Sequence, residues 1–433
     1  MHAALVRQPC SCIRRLAGGR ARQMQFTRLL RNPAVTPAAM SAHVAKATAA
    51  RVVGRDVVAI QDTSELVLGG RRARAKGFGP VGGGGALGGL LLHPVLAVEA
   101  GTGGLLGLVD AKIWNRDQGP AAPRRARPTA EKESQRWLDG AARAGEVLAS
   151  AASITVVSDR EGDIYEGFVR RPANVHLLVR LAQDRRIETG THEQLLFAFA
   201  DALPEQGRLA LTIPAAPGRK ARMAELAVRF APVVLRKPRH GAAPNLPETV
   251  ALTLLDVRET PPRLDGEPVH WRLLTTHAIT GLDDVRRILG LYRQRWTIEE
   301  FFRTLKTAGF DIEEADISDP PAMINFVAAA TVAAVTIMQL VQARDGTTDQ
   351  RLADAFDPTD QPILEAISIT LEGKTARQKN PHPKGSLAFV AWVIGRLGGW
   401  DGYYGKPGPR VMRRGLHDFR QIKYGATLGF KDV

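Results

Sequence analysis

The chain is 433 residues long, 44% hydrophobic and 24% charged, with a formal charge of +15. That length and apolar fraction allow two or three domains with a sizeable core and exclude wholesale disorder. The cationic surplus is spread along the chain, which points to a polyanion, most simply nucleic acid, as partner.

Taken in order, Met1–Arg22 is Arg-rich and free of acid, and reads as a poorly ordered basic leader. Its Cys10 and Cys12 are the chain's two cysteines, too few for a four-ligand zinc site and in keeping with a reducing compartment. Thr36 and Pro37 mark the cap and first turn of a helix reaching Arg51. Asp56–Leu66 is a β-branched run that delivers Asp62 at the end of a buried strand. Arg71–Gly89, basic and then glycine-rich, reads as a mobile loop; its glycines open no helix and make no dinucleotide fingerprint. Two strands, Leu90–Ala100 and Leu105–Trp114, precede a helix over Glu131–Ala149. Ile154–Phe168 repeats the earlier logic of a strand, then Asp159, then a helix, and Val175–Leu181 is another strand. From about Gly190 to His277 the pattern alternates between Pro/Gly turns, as in half-exposed strands. Ala322–Val341 approaches membrane-span length, but its alanines, threonines, Asn325 and Gln339 favour a buried core helix. Beyond Ala343 the sequence is helical and ends in a Gly/Pro/Arg-rich tail, Gly405–Phe430.

Leu289–Phe310 stands apart from the rest. Read as one helix, it places Tyr292, Arg295, Glu299 and Lys306 within an arc of about 60°, at roughly 100° per residue. A neighbouring stripe of Leu291, Ile298, Phe301, Phe302 and Leu305 reads as its core side. A carboxylate flanked by cations on a core-packed helix suits a metal-and-phosphate site. The competing reading is a solvated face with its charges scattered for solubility.

The pattern Tyr292-x-x-Arg295-x-x-x-Glu299, with Lys306 seven residues on, resembles the Y-R-E-K signature of DDE transposases of the bacterial insertion-sequence family four. The resemblance implies an α/β fold: a ribonuclease-H-like catalytic core with a β-rich insertion and a helical, dimerisation-type C-terminal region. The corresponding segments are 1–50 (leader and N-terminal remnant), 51–188 (first part of the core), 189–280 (insertion), 281–342 (last part of the core) and 343–433. The implied catalytic and metal-holding triad is Asp62, Asp159 and Glu299, with Mg²⁺ as cofactor and Mn²⁺ as its substitute. Two strand-end aspartates and a helix glutamate supply the hard oxygen ligands that a two-ion phosphodiester displacement requires. Tyr292, Arg295 and Lys306 are carried over as phosphate contacts. Arg160 and Glu161, which follow Asp159 as in the family's D-R-E segment, stand behind them, with Arg160 also counted among the implied DNA-binding residues.

Trp271 falls where the family has a tryptophan that stacks on a flipped base; a core tryptophan in a strand is the competing reading. The implied activity is cut-and-paste transposition. Water nicks one strand, the new 3′-hydroxyl attacks the opposite strand to form a hairpin, the hairpin is reopened, and the ends are joined to target. The partners are then double-stranded DNA, at transposon ends and target, and a second copy of the chain in a homodimer. The implied location is the cytoplasm, at the nucleoid. The family carries a helical end-binding domain ahead of this region, whereas about sixty residues precede Asp62 here and Met1–Gln25 resembles no part of it. A catalytically impaired or domesticated DNA-binding remnant is therefore the alternative reading.

Overall fold

A computed structural model of the chain describes all residues except 2–3, 6–11, 69–76, 83–86, 117–128, 190–191, 214–219, 241–242, 244, 262–266, 308–309, 404 and 430–433. The apolar alternation of the strand segments has a direct outcome. Val58, Ile60, Val157 and Leu178 enter one buried cluster, and Val57, Ala59, Ile154, Val156, Leu177 and Val179 enter another. Successive side chains point to opposite faces of a strand, so both faces of one sheet are covered.

The sheet is mixed and open, with thirteen strands among the described residues. Its centre is β1 (Asp56–Gln61), β6 (Ser153–Ser158) and β7 (His176–Arg180), which run parallel to one another. β2 (Ser64–Val67) and β1 lie along one edge of the long β4 (Leu87–Glu99), and β3 (Gly79–Val81) and β5 (Leu105–Trp114) along the other, all antiparallel to it. The last three residues of the glycine run thus belong to β4, not to a loop. Gly89 is obligatory there, since a Cβ would lie 2.1 Å from the Leu66 carbonyl oxygen. Gly79–Val81 of the expected mobile loop is likewise a strand, β3, and its residues 71–76 and 83–86 lie outside the described residues.

β8 (Arg186–Thr189) ends at residue 189, and β9 (His192–Leu195), β10 (Gly207–Ile213), β11 (Arg222–Arg236), β12 (Thr249–Glu259) and β13 (His270–Thr275) follow it. They continue the same sheet. β13 pairs with β7 through Leu273–Arg180, Leu274–Val179 and Thr275–Leu178, and the order then runs β12, β11, β8, β9.

Of the leader expected to be poorly ordered, residues 2–3 and 6–11 lie outside the described residues, whereas α1 (Ile13–Ala17) is helical with Leu16 buried; α2 (Arg20–Arg31) starts at its end and buries Leu30. Cys12 Sγ donates to Asp316 Oδ2 at 3.0 Å. α3 (Pro37–Arg51) starts as its sequence demands, the Thr36 hydroxyl accepting from Ala39 N at 3.2 Å. α4 (Gln135–Val147) buries Trp137, Ala141 and Ala144, and α5 (Tyr165–Arg170), α6 (Leu196–Ala202), α7 (Leu282–Arg293) and α8 (Trp296–Lys306) follow.

α9 (Pro320–Ala343) is long and apolar enough to cross a membrane by length and composition, yet most of it is buried inside the protein. Its polar residues explain that placement. Asn325 donates to the Leu30 carbonyl, and Gln339 to the carbonyls of Leu105, Leu106 and Asp354. A helix apolar on all sides with satisfied amides belongs in a core. α10 (Gln361–Leu371), α11 (Leu387–Leu397) and α12 (Pro409–Gly429) complete the chain, the last giving the Gly/Pro/Arg-rich tail a helical form.

Candidate active site

The register of the two central strands sets the site. β1 and β6 pair in parallel with a constant offset, Ile60 opposite Val157. Asp62 and Asp159 keep that offset two residues further on, just past both strand ends. By the two-residue alternation they face the side of Ile60 and Val157, where α8 packs with Ile298, Phe301 and Leu305 fully buried. Each carboxylate caps its own turn. Asp62 Oδ1 accepts from Thr63 N and Asp159 Oδ1 from Arg160 N, both at 2.7 Å.

The expected single helix over Leu289–Phe310 is two. α7 ends at Arg293 and α8 begins at Trp296, and between them Gln294 N and Arg295 N donate to the carbonyls three residues back, Leu291 and Tyr292. This tighter turn advances the chain by about 120° per residue, so the four signature residues do not form one regular stripe. It drives Tyr292 and Arg295 inward, to 1% and 5% exposure, which speaks against the competing reading of a solvated face at these two positions.

Arg295 is thereby placed between the carboxylates. One nitrogen, Nη1, lies 3.7 Å from Asp62 Oδ2 and 4.0 Å from Asp159 Oδ2, and Nη2 donates to Glu299 Oε1 at 2.8 Å. Three acids remote in sequence thus gather round one buried guanidinium. Burial is the main reason the Asp62 carboxyl is pushed up to about 6; Asp159 and Glu161 add to the rise, while the Thr63 N–H and Arg295 oppose it. Among the described residues no three His, Cys, Asp or Glu side chains close into a ready-made cation cage. The acids surround Arg295 instead.

The remaining predicted residues lie at graded distance. The Tyr292 hydroxyl is buried without a hydrogen bond of normal geometry, as is Arg295 Nε. Burial foremost, then the Asp159 charge, raises the Tyr292 hydroxyl above its ordinary value. Trp271 is half-buried and meets Tyr292 edge to face, ring centroids 5.4 Å apart. Lys306 is engaged by other partners: its Nζ donates to the Glu65 carbonyl and lies 3.3 Å from Glu313 Oε1. Arg160 is exposed and borders an open hollow with Arg180, His270 and Arg272.

No family model matches the chain.

Several of its parts carry no motif. Asp163 is 1% exposed, and its Oδ1 takes Arg185 Nη2 at 2.6 Å while Oδ2 accepts from Ala182 N and Gln183 N, both at 2.9 Å. It ties the Asp159 turn to the chain leaving β7. Gly162 has no room for a side chain, a Cβ falling 2.2 Å from Ser158 Oγ. Trp296, 55% exposed, has the Arg295 guanidinium 5.4 Å from its ring centroid and is the nearest large exposed aromatic in the signature segment. The D-R-E-G-D spacing could have flagged Asp163, since a second aspartate four residues on serves as an anchor for the first. Nothing in the local sequence flags Arg295 as the group that joins the acids.

Proposed function

We propose that the chain is a DDE transposase that performs metal-dependent cut-and-paste transposition of an insertion sequence. The observation that carries this reading is the gathering of Asp62, Asp159 and Glu299 around Arg295, predicted from residues separated by nearly a hundred and then 140 positions. The parallel pair of aspartate-bearing strands with a glutamate helix packed over them supports a ribonuclease-H-like core, and the strands after residue 189 support its insertion.

The residues fit divalent cations. The donor set is hard carboxylate oxygen, and a carboxyl pushed up to about 6 by burial and neighbouring acids is one that additional positive charge would relieve. Asp62, Asp159 and Glu299 would hold Mg²⁺ or Mn²⁺, which activates the attacking oxygen and neutralises charge on the phosphorus. The chain's own groups do the rest. Arg295 and Tyr292 bring a buried guanidinium and hydroxyl with unused hydrogen-bonding capacity, suited to grip a phosphate oxygen beside the acids. Trp271, touching Tyr292, offers a partly open ring to an extruded base. The charge of +15 suits double-stranded DNA at ends and target, and the helical C-terminal region is assigned to contacts between two copies.

The test is cleavage of a supercoiled plasmid carrying the DNA that flanks the gene, with Mn²⁺ or Mg²⁺. Metal-dependent nicks ending in 3′-hydroxyls, followed by hairpins, are expected. Asp62→Asn, Asp159→Asn and Glu299→Gln should each abolish both while DNA binding persists. Cleavage unaffected by all three substitutions overturns the reading, and binding without any cleavage by the unaltered chain favours the DNA-binding remnant.

A further inference from the structure

Arg136, in the first turn of α4, is only 8% exposed, and each of its three guanidinium nitrogens makes a hydrogen bond. Nε donates to Thr63 Oγ1 at 2.7 Å, Nη2 to Glu161 Oε2 at 2.6 Å and Nη1 to the Glu133 carbonyl at 2.8 Å. Its two side-chain acceptors lie on the two aspartate turns. Thr63 is the residue whose N–H holds the Asp62 carboxylate, and Glu161 lies in the short turn that Asp159 caps. The guanidinium carbon stands 5.7 Å from the ring centroid of Trp114 and 5.5 Å from that of Trp137, so two indoles hold the fork in place.

The network also closes on itself. Thr63 Oγ1 lies 2.9 Å from His93 Nδ1, His93 Nε2 lies 3.2 Å from Gln61 Oε1, and Gln61 Nε2 donates to the Trp137 carbonyl at 3.2 Å. With a neutral His93 protonated on Nε2, every donor in the chain from Arg136 to Trp137 has an acceptor. Both ends of the loop rest on α4.

We propose that Arg136 is a positioning residue for the reaction: it fastens the Asp62 turn to the Asp159 turn and so fixes the spacing of the two carboxylates. The proposal rests on the reading of those aspartates as the reacting pair, and extends it to a residue that touches neither DNA nor the reacting atoms. A planar fork with fixed donors is what the task requires; the lysine ammonium carries the same charge but cannot span both turns.

The test compares the full-length chain with R136K, T63V and R136K/T63V. It measures kcat and KM for Mn²⁺-dependent nicking of the supercoiled plasmid, Mn²⁺ affinity by calorimetry without DNA, and melting temperature. R136K should lower kcat and Mn²⁺ affinity by about 10–100-fold, the range for groups that orient metal ligands, while KM for DNA stays within about twofold. T63V should lose less, and the double variant little more than R136K, because both cut the same link. R136K with unaltered kcat and Mn²⁺ affinity overturns the proposal, as does a kcat loss matched by T63V only in proportion to lowered melting temperature. An unaltered chain that neither cuts plasmid nor binds Mn²⁺ brings down the transposase reading and the proposal with it; one that does both, with R136K unaffected, overturns the proposal alone.

Discussion

At Asp62 the folded chain works against itself. Its carboxyl titrates at about 6 when folded, against roughly 4 in an unfolded chain, so between those values the folded state holds a proton that the unfolded state has released. Stability therefore falls as pH rises through that window, and the penalty is complete above it. Asp62→Asn should relieve it, leaving the metal-free variant about 1–3 kcal/mol more stable than the unaltered chain at pH 7 and no more stable at pH 4. Urea melts in EDTA at the two pH values check this; an equal gain at both would mean that Asp62 is not the group that titrates. Trp271 has the opposite profile, since its half-buried ring touches Tyr292 and not the acids. If a base stacks there, Trp271→Ala should slow hairpin formation about ten- to a hundredfold and spare the first nick, stacking being worth about 1–3 kcal/mol per base. Loss of both steps together with about 3–5 kcal/mol of stability would instead mark a core residue. Separate nicking and hairpin rates on a pre-cut end decide between them.

The turn after β6 shows how an element imposes a residue. Gly162 passes over Ser158 so closely that Gly162→Ala must push the Asp159 turn away from the strand end, a strain of about 1–3 kcal/mol. Pairing it with Ser158→Gly removes the obstructing atoms, so the double variant should recover much of both melting temperature and nicking rate. Failure to recover either would show that the close approach is not what fixes the turn. The strands and their terminal aspartates were legible because buried β-branched runs of six residues leave few alternatives. The break between α7 and α8 was not. Gln294 and Arg295 are good helix formers with no Gly or Pro beside them, and the tight turn answers to packing, not to local preference. Membership of β8–β13 in the central sheet was equally hidden, since alternation fixes which face of a strand is buried but not which strand it pairs with. Arg136 was hidden for a third reason. In a chain with 59 lysines and arginines, one buried arginine looks like any other until its three partners are known.

Over the whole molecule, a charge of +15 sets how the proposed DNA partner should be held. Binding to any duplex should weaken steeply with salt, log K falling by about 0.9 per log unit of salt for each phosphate neutralised, so that six contacts give a slope near −5. Fluorescence titrations from 50 to 200 mM salt measure it, and a flat response would remove electrostatics as the basis of binding. The joining of β13 to β7 governs a different moment in the protein's life, its synthesis. Leu273 closes against Arg180, so 93 residues separate a strand from the neighbour that completes it. At roughly 5–20 residues per second, the open side of β7 waits about 5–20 s on the ribosome with Leu178 and Val179 uncovered. During that interval the growing chain presents an apolar strand edge to everything around it, including other copies of itself. A ribosome stalled short of His270 should therefore carry a sticky, protease-sensitive nascent chain, and the demand for chaperones should peak there, before any of α7 or α8 has been made.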